Sequence, residues 1–174
     1  DRAAEKAHFR RCGVPCAPYA LIETAEQLEA VDAVDAALLP GILKTTRLGY
    51  DGKGQQRVAD RAELAAAWAS LKHVPCVLER RLDLRSEISV IVARGAGGDI
   101  VHFPPQHNLH RDGILAVTTV PAPGLDPAQQ RQAVDAAQRI AESMEYVGVL
   151  CVEFFVLGDG SLLANEMAPR PHNS

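Results

Sequence analysis

Along this chain, apolar positions repeat at helical spacing in some stretches and cluster at strand length in others. Residues 5–11 carry a helical pattern that ends near Gly13, with Pro15 and Pro18 blocking continuation. Residues 19–22 have the length of a short strand. Thr24 and Gln27 stand at capping-box spacing and predict a helix to about residue 34. Residues 41–45 turn abruptly from apolar to polar, as a compact strand does. Residues 47–55 are glycine-rich and predict a loop, and 56–59 the returning strand. Asp60 caps a helix over residues 63–70, with Leu64, Ala67, Trp68 and Leu71 on one face. Residues 76–79 predict another strand.

The second half is richer in strands. Residues 87–93 and 99–103 predict a hairpin around Gly95, Gly97 and Gly98. The polar, histidine-bearing stretch 107–113 reads as a loop, and residues 115–120 as a strand. Asp126-Pro127 pairs a cap with proline at the first helical position and predicts a helix to about residue 144. Residues 147–157 and 161–167, joined by Gly158-Asp159-Gly160, form the clearest hairpin. Helices and antiparallel strands mix without a regular βαβ alternation. The predicted class is therefore α+β, in two lobes: residues 1–82 and residues 83–174.

Composition narrows the function. The 174 residues are 47% hydrophobic and 23% charged, ordinary for a globular protein. A net charge of −4 argues against a general nucleic-acid binder. The longest apolar runs are far short of a membrane span, and the charged start does not resemble a signal peptide. Cys12, Cys16, Cys76 and Cys151 form neither a disulfide framework nor a zinc knuckle, and read as reduced thiols of a cytoplasmic protein. The chain lacks an initiator Met and stops directly after a dense polar cluster, which predicts a piece of a longer polypeptide.

Four groups of residues can carry chemistry. Lys44 leaves the end of a strand, and Gly49, Tyr50, Asp51, Gly52, Lys53, Gly54 and Gln55 follow in a loop whose glycines let backbone N–H groups wrap an anion such as polyphosphate. It is not a Walker A sequence. A plain glycine-rich turn with solvated lysines is the alternative. In the last hairpin, Glu153 lies opposite Glu166 if Leu157 pairs with Leu162, and opposite Asn165 if Leu157 pairs with Ser161. Either register gathers hard oxygen ligands suited to Mg²⁺ held jointly with phosphates; otherwise one glutamate simply faces solvent. Arg170, His172 and Asn173 follow in a segment stiffened by two prolines and suit a small oxyanion such as bicarbonate. His102, His107 and His110 lack a fourth ligand at zinc spacing, so polar contacts to a nucleotide or substrate are the better reading.

Taken together these residues resemble the ATP-grasp superfamily and, within it, the carboxyaminoimidazole ribonucleotide synthases of purine biosynthesis. The likeness rests on Lys44 with Gly49–Gln55, Glu87-Ile88-Ser89-Val90, Asn108-Leu109-His110-Arg111-Asp112-Gly113, Glu153-Phe154-Phe155, and Asn165-Glu166-Met167-Ala168-Pro169-Arg170-Pro171-His172-Asn173-Ser174, in order. It implies an ATP-grasp fold, with a small lid lobe, a larger antiparallel-sheet catalytic lobe, and further domains before and after. It implies ATP and Mg²⁺ as cofactors, and aminoimidazole ribonucleotide and bicarbonate as substrates of a carbon–nitrogen ligase working through carboxyphosphate. By position, Lys44 contacts phosphates under a mobile lid at 49–55. Glu79, Arg80, Arg81 and Leu82 line the adenine, although Arg80-Arg81 replaces the usual apolar tail. Glu87 takes the ribose hydroxyls and His110 approaches the nucleotide. Glu153 and Glu166, with Asn165 beside them, hold Mg²⁺. Arg170, His172 and Asn173 hold bicarbonate, and Tyr50 and Lys53 reach the carboxylated substrate. A homodimer is implied for the full-length protein. A ligase for a different acid and amine, and a non-catalytic nucleotide-binding module, remain as alternatives.

Overall fold

The structure, a computed structural model, describes residues 1–34, 38–49, 54–111 and 114–174. The chain runs α1 (Arg2–Arg11), β1 (Tyr19–Ile22), α2 (Ala25–Val34), β2 (Gly41–Thr45), β3 (Gln55–Val58), α3 (Arg61–Ser70) and β4 (Cys76–Arg80). It continues with β5 (Leu84–Arg94), β6 (Ile100–His102), β7 (Gln106–Arg111), β8 (Ile114–Thr119), α4 (Pro127–Ser143), β9 (Gly148–Leu157) and β10 (Leu162–Ala168). Contacts divide it into two units: Asp1–Ala4 with Ala17–Leu82, and Glu5–Cys16 with Asp83–Ser174. Where one cut near residue 82 was expected, residues 5–16 group with the second unit. The physical reason is that Phe9 and Val14 are buried in that unit's core.

The first unit is a four-stranded antiparallel sheet in the order β1-β4-β2-β3. Its helices start where local chemistry starts them. Thr24 Oγ1 accepts from Gln27 N–H while the Gln27 amide oxygen accepts from Thr24 N–H, and Asp60 accepts from Glu63 N–H. Leu64, Ala67 and Trp68 turn into a core with Ile22, Leu43, Leu78 and Cys76.

The second unit is built on the eleven-residue strand β5. One edge of β5 pairs along its length with β9; the other is shared by β7, at Glu87–Ser89, and β6, at Val92–Arg94. β10 and β8 extend the sheet on either side. Residues 88, 90 and 92 of β5 and 150, 152 and 154 of β9 face a core with α4. That helix presents Ala133, Ala136, Ala137 and Ala141 beside Ile140, small side chains that leave room for Phe154 at 2% exposure. Because side chains alternate along a strand, Glu87, Ser89, Cys151 and Glu153 share the opposite face. The stretch read as a loop from its polarity forms β7 through Arg111. Pairing on both sides, with β5 and β8, overrides the weak strand propensity of His and Asn. Asp112 and Gly113 lie outside the described residues.

Candidate functional site

In the first unit, β2 delivers Lys44 opposite Gln55 on one side and Val77 on the other. The Lys44 ammonium donates to Glu79 Oε2 at 3.1 Å, with the two side chains 12% and 4% exposed. Two residues expected to meet different parts of a nucleotide are thus joined to each other. An ammonium has three donors, so this bond leaves capacity for a phosphate oxygen. Downstream, Thr45 N–H donates to Gly54 O at 2.8 Å, closing the connection to β3. Gly54 sits at φ +70°, and a Cβ there would fall 2.8 Å from Thr45 Oγ1, so the glycine is required twice over. Tyr50, Asp51, Gly52 and Lys53 lie outside the described residues.

Arg2 was not foreseen. Its guanidinium donates to Thr45 O at 2.9 Å and Gly49 O at 3.2 Å, and ties down the start of the glycine-rich loop. A lone arginine near the start of a helix carries no sequence signal for this. Of the stretch 79–82, Arg80 and Arg81 are exposed. Their backbone N–H groups are committed to Pro18 O and Pro40 O, each at 3.0 Å. A cavity of about 540 Å³ opens beside Thr45, Arg47 and Gly54, in the unit that does not contain Glu153.

In the second unit the last hairpin resolves the register question in an unexpected way. Leu162 pairs with Val156 and Ala164 with Phe154, the register that sets Asn165 opposite Glu153. Met167 then pairs with Val152, the register that sets Glu166 there. The ladder changes register through a β-bulge: Asn165 and Glu166 together oppose the single residue Glu153. Ala164 and Met167 both belong to the core side, where Ala164 is fully buried and Met167 packs partly. The two polar residues between them therefore share the face of Glu153.

His172 comes back onto that face. Its Nε2 lies 3.1 Å from Glu153 Oε1, with side chains 8% and 13% exposed. Contacts with Cys151 first and Glu153 second push the imidazole up to about 10, against the burial that lowers it. Ser174 Oγ lies 2.7 Å from His172 Nδ1 and accepts from Ser89 Oγ at 2.9 Å. Ser89, wholly buried, also accepts from Asn108 Nδ2 at 3.0 Å and lies 3.2 Å from Gln106 Oε1, while Asn108 Oδ1 accepts from Thr118 at 3.2 Å. Ser89 and Ser174 stand inside the motifs quoted from the sequence, but neither carries a predicted role there. Serine is too common to signal anything until the register places it. Glu87 and His110 do meet, with Oε2 and Nδ1 3.4 Å apart. Arg170 and Asn173 are exposed, and the Arg170 guanidinium donates to Pro171 O at 3.0 Å.

Beyond the bulge lies Glu5, from α1, which accepts a hydrogen bond from Met167 N–H. Burial pushes its carboxyl up to about 7; the Met167 bond pulls it down and the nearby Glu166 raises it further. The oxygens of Glu153, Glu166 and Asn165 fit a hard divalent cation such as Mg²⁺. Among the described residues no group of three His, Cys, Asp or Glu side chains is placed to hold a metal ion by itself, so two carboxylates would leave most positions to phosphate and water, as Mg²⁺ prefers.

Two antiparallel sheets, one carrying a half-buried strand-end lysine and the other a polar face with paired acidic positions, define a class. The ATP-grasp domain matches residues 7–174, and the chain belongs to that family. It is 45% identical, over its whole length, to N5-carboxyaminoimidazole ribonucleotide synthase of Brucella melitensis, of which the match covers 48%. It also resembles the ADP complex of an N5-carboxyaminoimidazole ribonucleotide synthetase, with a TM-score of 0.88 and 38% identity over 99% of this chain and 45% of that one. An Aspergillus clavatus N5-carboxyaminoimidazole synthase in complex with ADP and the aminoimidazole ribonucleotide has a TM-score of 0.83 at 25% identity, over 99% of this chain and 45% of that one. The chain spans about half the length of the curated relatives it matches. Among the described residues no helix is long and apolar enough to cross a membrane.

Proposed function

We propose that the protein containing this chain is an ATP-dependent carbon–nitrogen ligase that joins bicarbonate to the amine of aminoimidazole ribonucleotide, in de novo purine biosynthesis. Similarity to synthases of this name along the whole chain supports the reading. The observation that carries it is the contact of His172 with Glu153, which joins the segment expected to hold the acid to the strand expected to hold the metal.

The roles follow from the chemistry. Bicarbonate oxygen attacks the γ-phosphorus of ATP and ADP leaves, giving carboxyphosphate; the substrate amine then attacks its carboxyl carbon and phosphate leaves. Lys44 neutralises phosphate charge, and Glu79, beside it, holds the ammonium in place. Gly49–Gln55, with Tyr50 and Lys53, cover the phosphates and the carboxylated substrate. Arg80, Arg81 and Leu82 lie along the adenine, Glu87 takes the ribose hydroxyls, and His110 beside it approaches the nucleotide. Glu153, Asn165 and Glu166 hold Mg²⁺, which supplies charge neutralisation on the transferring phosphoryl group. Arg170, His172 and Asn173 hold bicarbonate and then the carboxyphosphate oxygens. Residues 17–82 form the lid lobe, and 83–174 with residues 5–16 most of the catalytic lobe. The full-length protein is a cytoplasmic homodimer.

ADP release by the full-length protein tests this. It should require bicarbonate and rise strongly with aminoimidazole ribonucleotide. Release indifferent to the ribonucleotide refutes the assignment.

A further inference from the structure

The β-bulge in β10 has a mechanical problem. An extra residue disrupts the ladder and leaves backbone donors on the outer edge without strand partners. Here that edge is covered by the segment that begins in α1. Ala164 N–H, just before the bulge, donates to Pro15 O at 2.7 Å, and Cys16 bridges Ala164 in parallel. Met167 N–H, just after it, donates to a Glu5 carboxylate oxygen. Phe9 and Val14, between the two attachment points in sequence, are buried in the same core as Ala164. The bulge is held from both sides by one segment, with a backbone oxygen at one end and a side-chain oxygen at the other.

We infer that Glu5 is a positioning residue: by accepting the Met167 N–H it clamps the bulge and so aims Asn165 and Glu166 at the ion they hold with Glu153. The inference rests on the proposed ion site. It assigns Glu5 no contact with the ion; what matters is an acceptor oxygen at the right reach, not its charge. Groups that orient a ligand in this way commonly change metal affinity by about 10–100-fold when removed.

The test uses Mn²⁺ as the probe, titrated into the full-length protein with ADP and read by electron paramagnetic resonance. Three variants separate reach from charge. Glu5→Gln keeps an oxygen at the same length and should bind within about threefold of the parent; Glu5→Ala should lose about 10-fold or more. Glu5→Asp keeps the charge but falls one methylene short, and should behave like Glu5→Ala. Amide exchange of the 164–168 segment without metal should quicken in the Ala and Asp variants and not in the Gln variant. Equal Mn²⁺ affinity in all three, or an Asp variant that binds tightly while the Gln variant does not, overturns the inference. Glu166→Gln reports separately: if it binds Mn²⁺ as well as the parent, the ion site itself is wrong, whatever Glu5 does.

Discussion

Replacing Ser89 by Ala removes one hydroxyl from the centre of the polar face, and the structure sets the size of the effect. Ser89 is 0% exposed, so water cannot take over the lost interactions. Asn108, 4% exposed, donates to the Ser89 oxygen at 3.0 Å and loses that acceptor. A net hydrogen bond is worth about 1 kcal/mol, and a buried donor left without its acceptor costs about 1–3 kcal/mol. A loss of about 2 kcal/mol is therefore expected locally, which is roughly a 30-fold rise in the opening equilibrium of this part of the sheet. Native-state amide exchange over β5 and β7 reads it directly. Asn108→Leu completes a double-mutant cycle: with both partners apolar the donor problem disappears, and the coupling should exceed about 1 kcal/mol. Exchange in Ser89→Ala that stays within about twofold of the parent, or two substitutions that add within about 0.5 kcal/mol, would falsify the claim that this serine is the hub.

Two further outcomes are expected. In the metal-free protein, His172 should stay protonated well above neutrality, with a midpoint near 10, as read by nitrogen chemical shifts; a midpoint near the ordinary 6.5 counts against its contacts with Cys151 and Glu153. Its folded value is raised, so its contribution to stability is complete below about 6.5 and is lost as pH rises through about 10; His172→Gln should flatten that slope. Lys44→Met removes a charged hydrogen bond to a carboxylate only 4% exposed and should destabilise the four-stranded sheet by about 1.5–3 kcal/mol. Adding Glu79→Gln should recover part of that loss, since one charge without the other is worse than neither; a double variant weaker than Lys44→Met argues that the pair does not act as a unit.

Much of the architecture could be read locally because it is determined locally. Asp126, Pro127 and Gln129 build the start of α4 from side chains one turn apart, and the capping box is present in the structure. The hairpin β9–β10 follows from its turn residues. What escaped is what depends on distant partners. His107 to Arg111 form a strand because β8 pairs with them and β5 holds His107 and Asn108 from the other side. Two registers compete for the last hairpin on sequence grounds, and both occur, one on each side of the bulge. The segment that accommodates the bulge lies far earlier in the chain, with Glu5 162 residues before Met167, where nothing nearby announces it. The same holds for the site. Charged residues such as Lys44, Glu87, Glu153 and His172 stood out by type, and the structure brings Glu87 to His110 and Glu153 to His172. Arg2, Ser89 and Ser174 are chemically ordinary and become visible only through their neighbours.

The irregularity in β10 also separates two demands that strands usually couple. In a uniform ladder, inserting or deleting one residue turns every later side chain to the wrong side. Here Ala164 and Met167 point to the interior with two residues between them, where a regular strand would have one. Losing Asn165 or Glu166 would restore ordinary alternation and leave the interior undisturbed. The number of oxygen donors at this spot can therefore change by a single codon while the packing beneath it stays as it is.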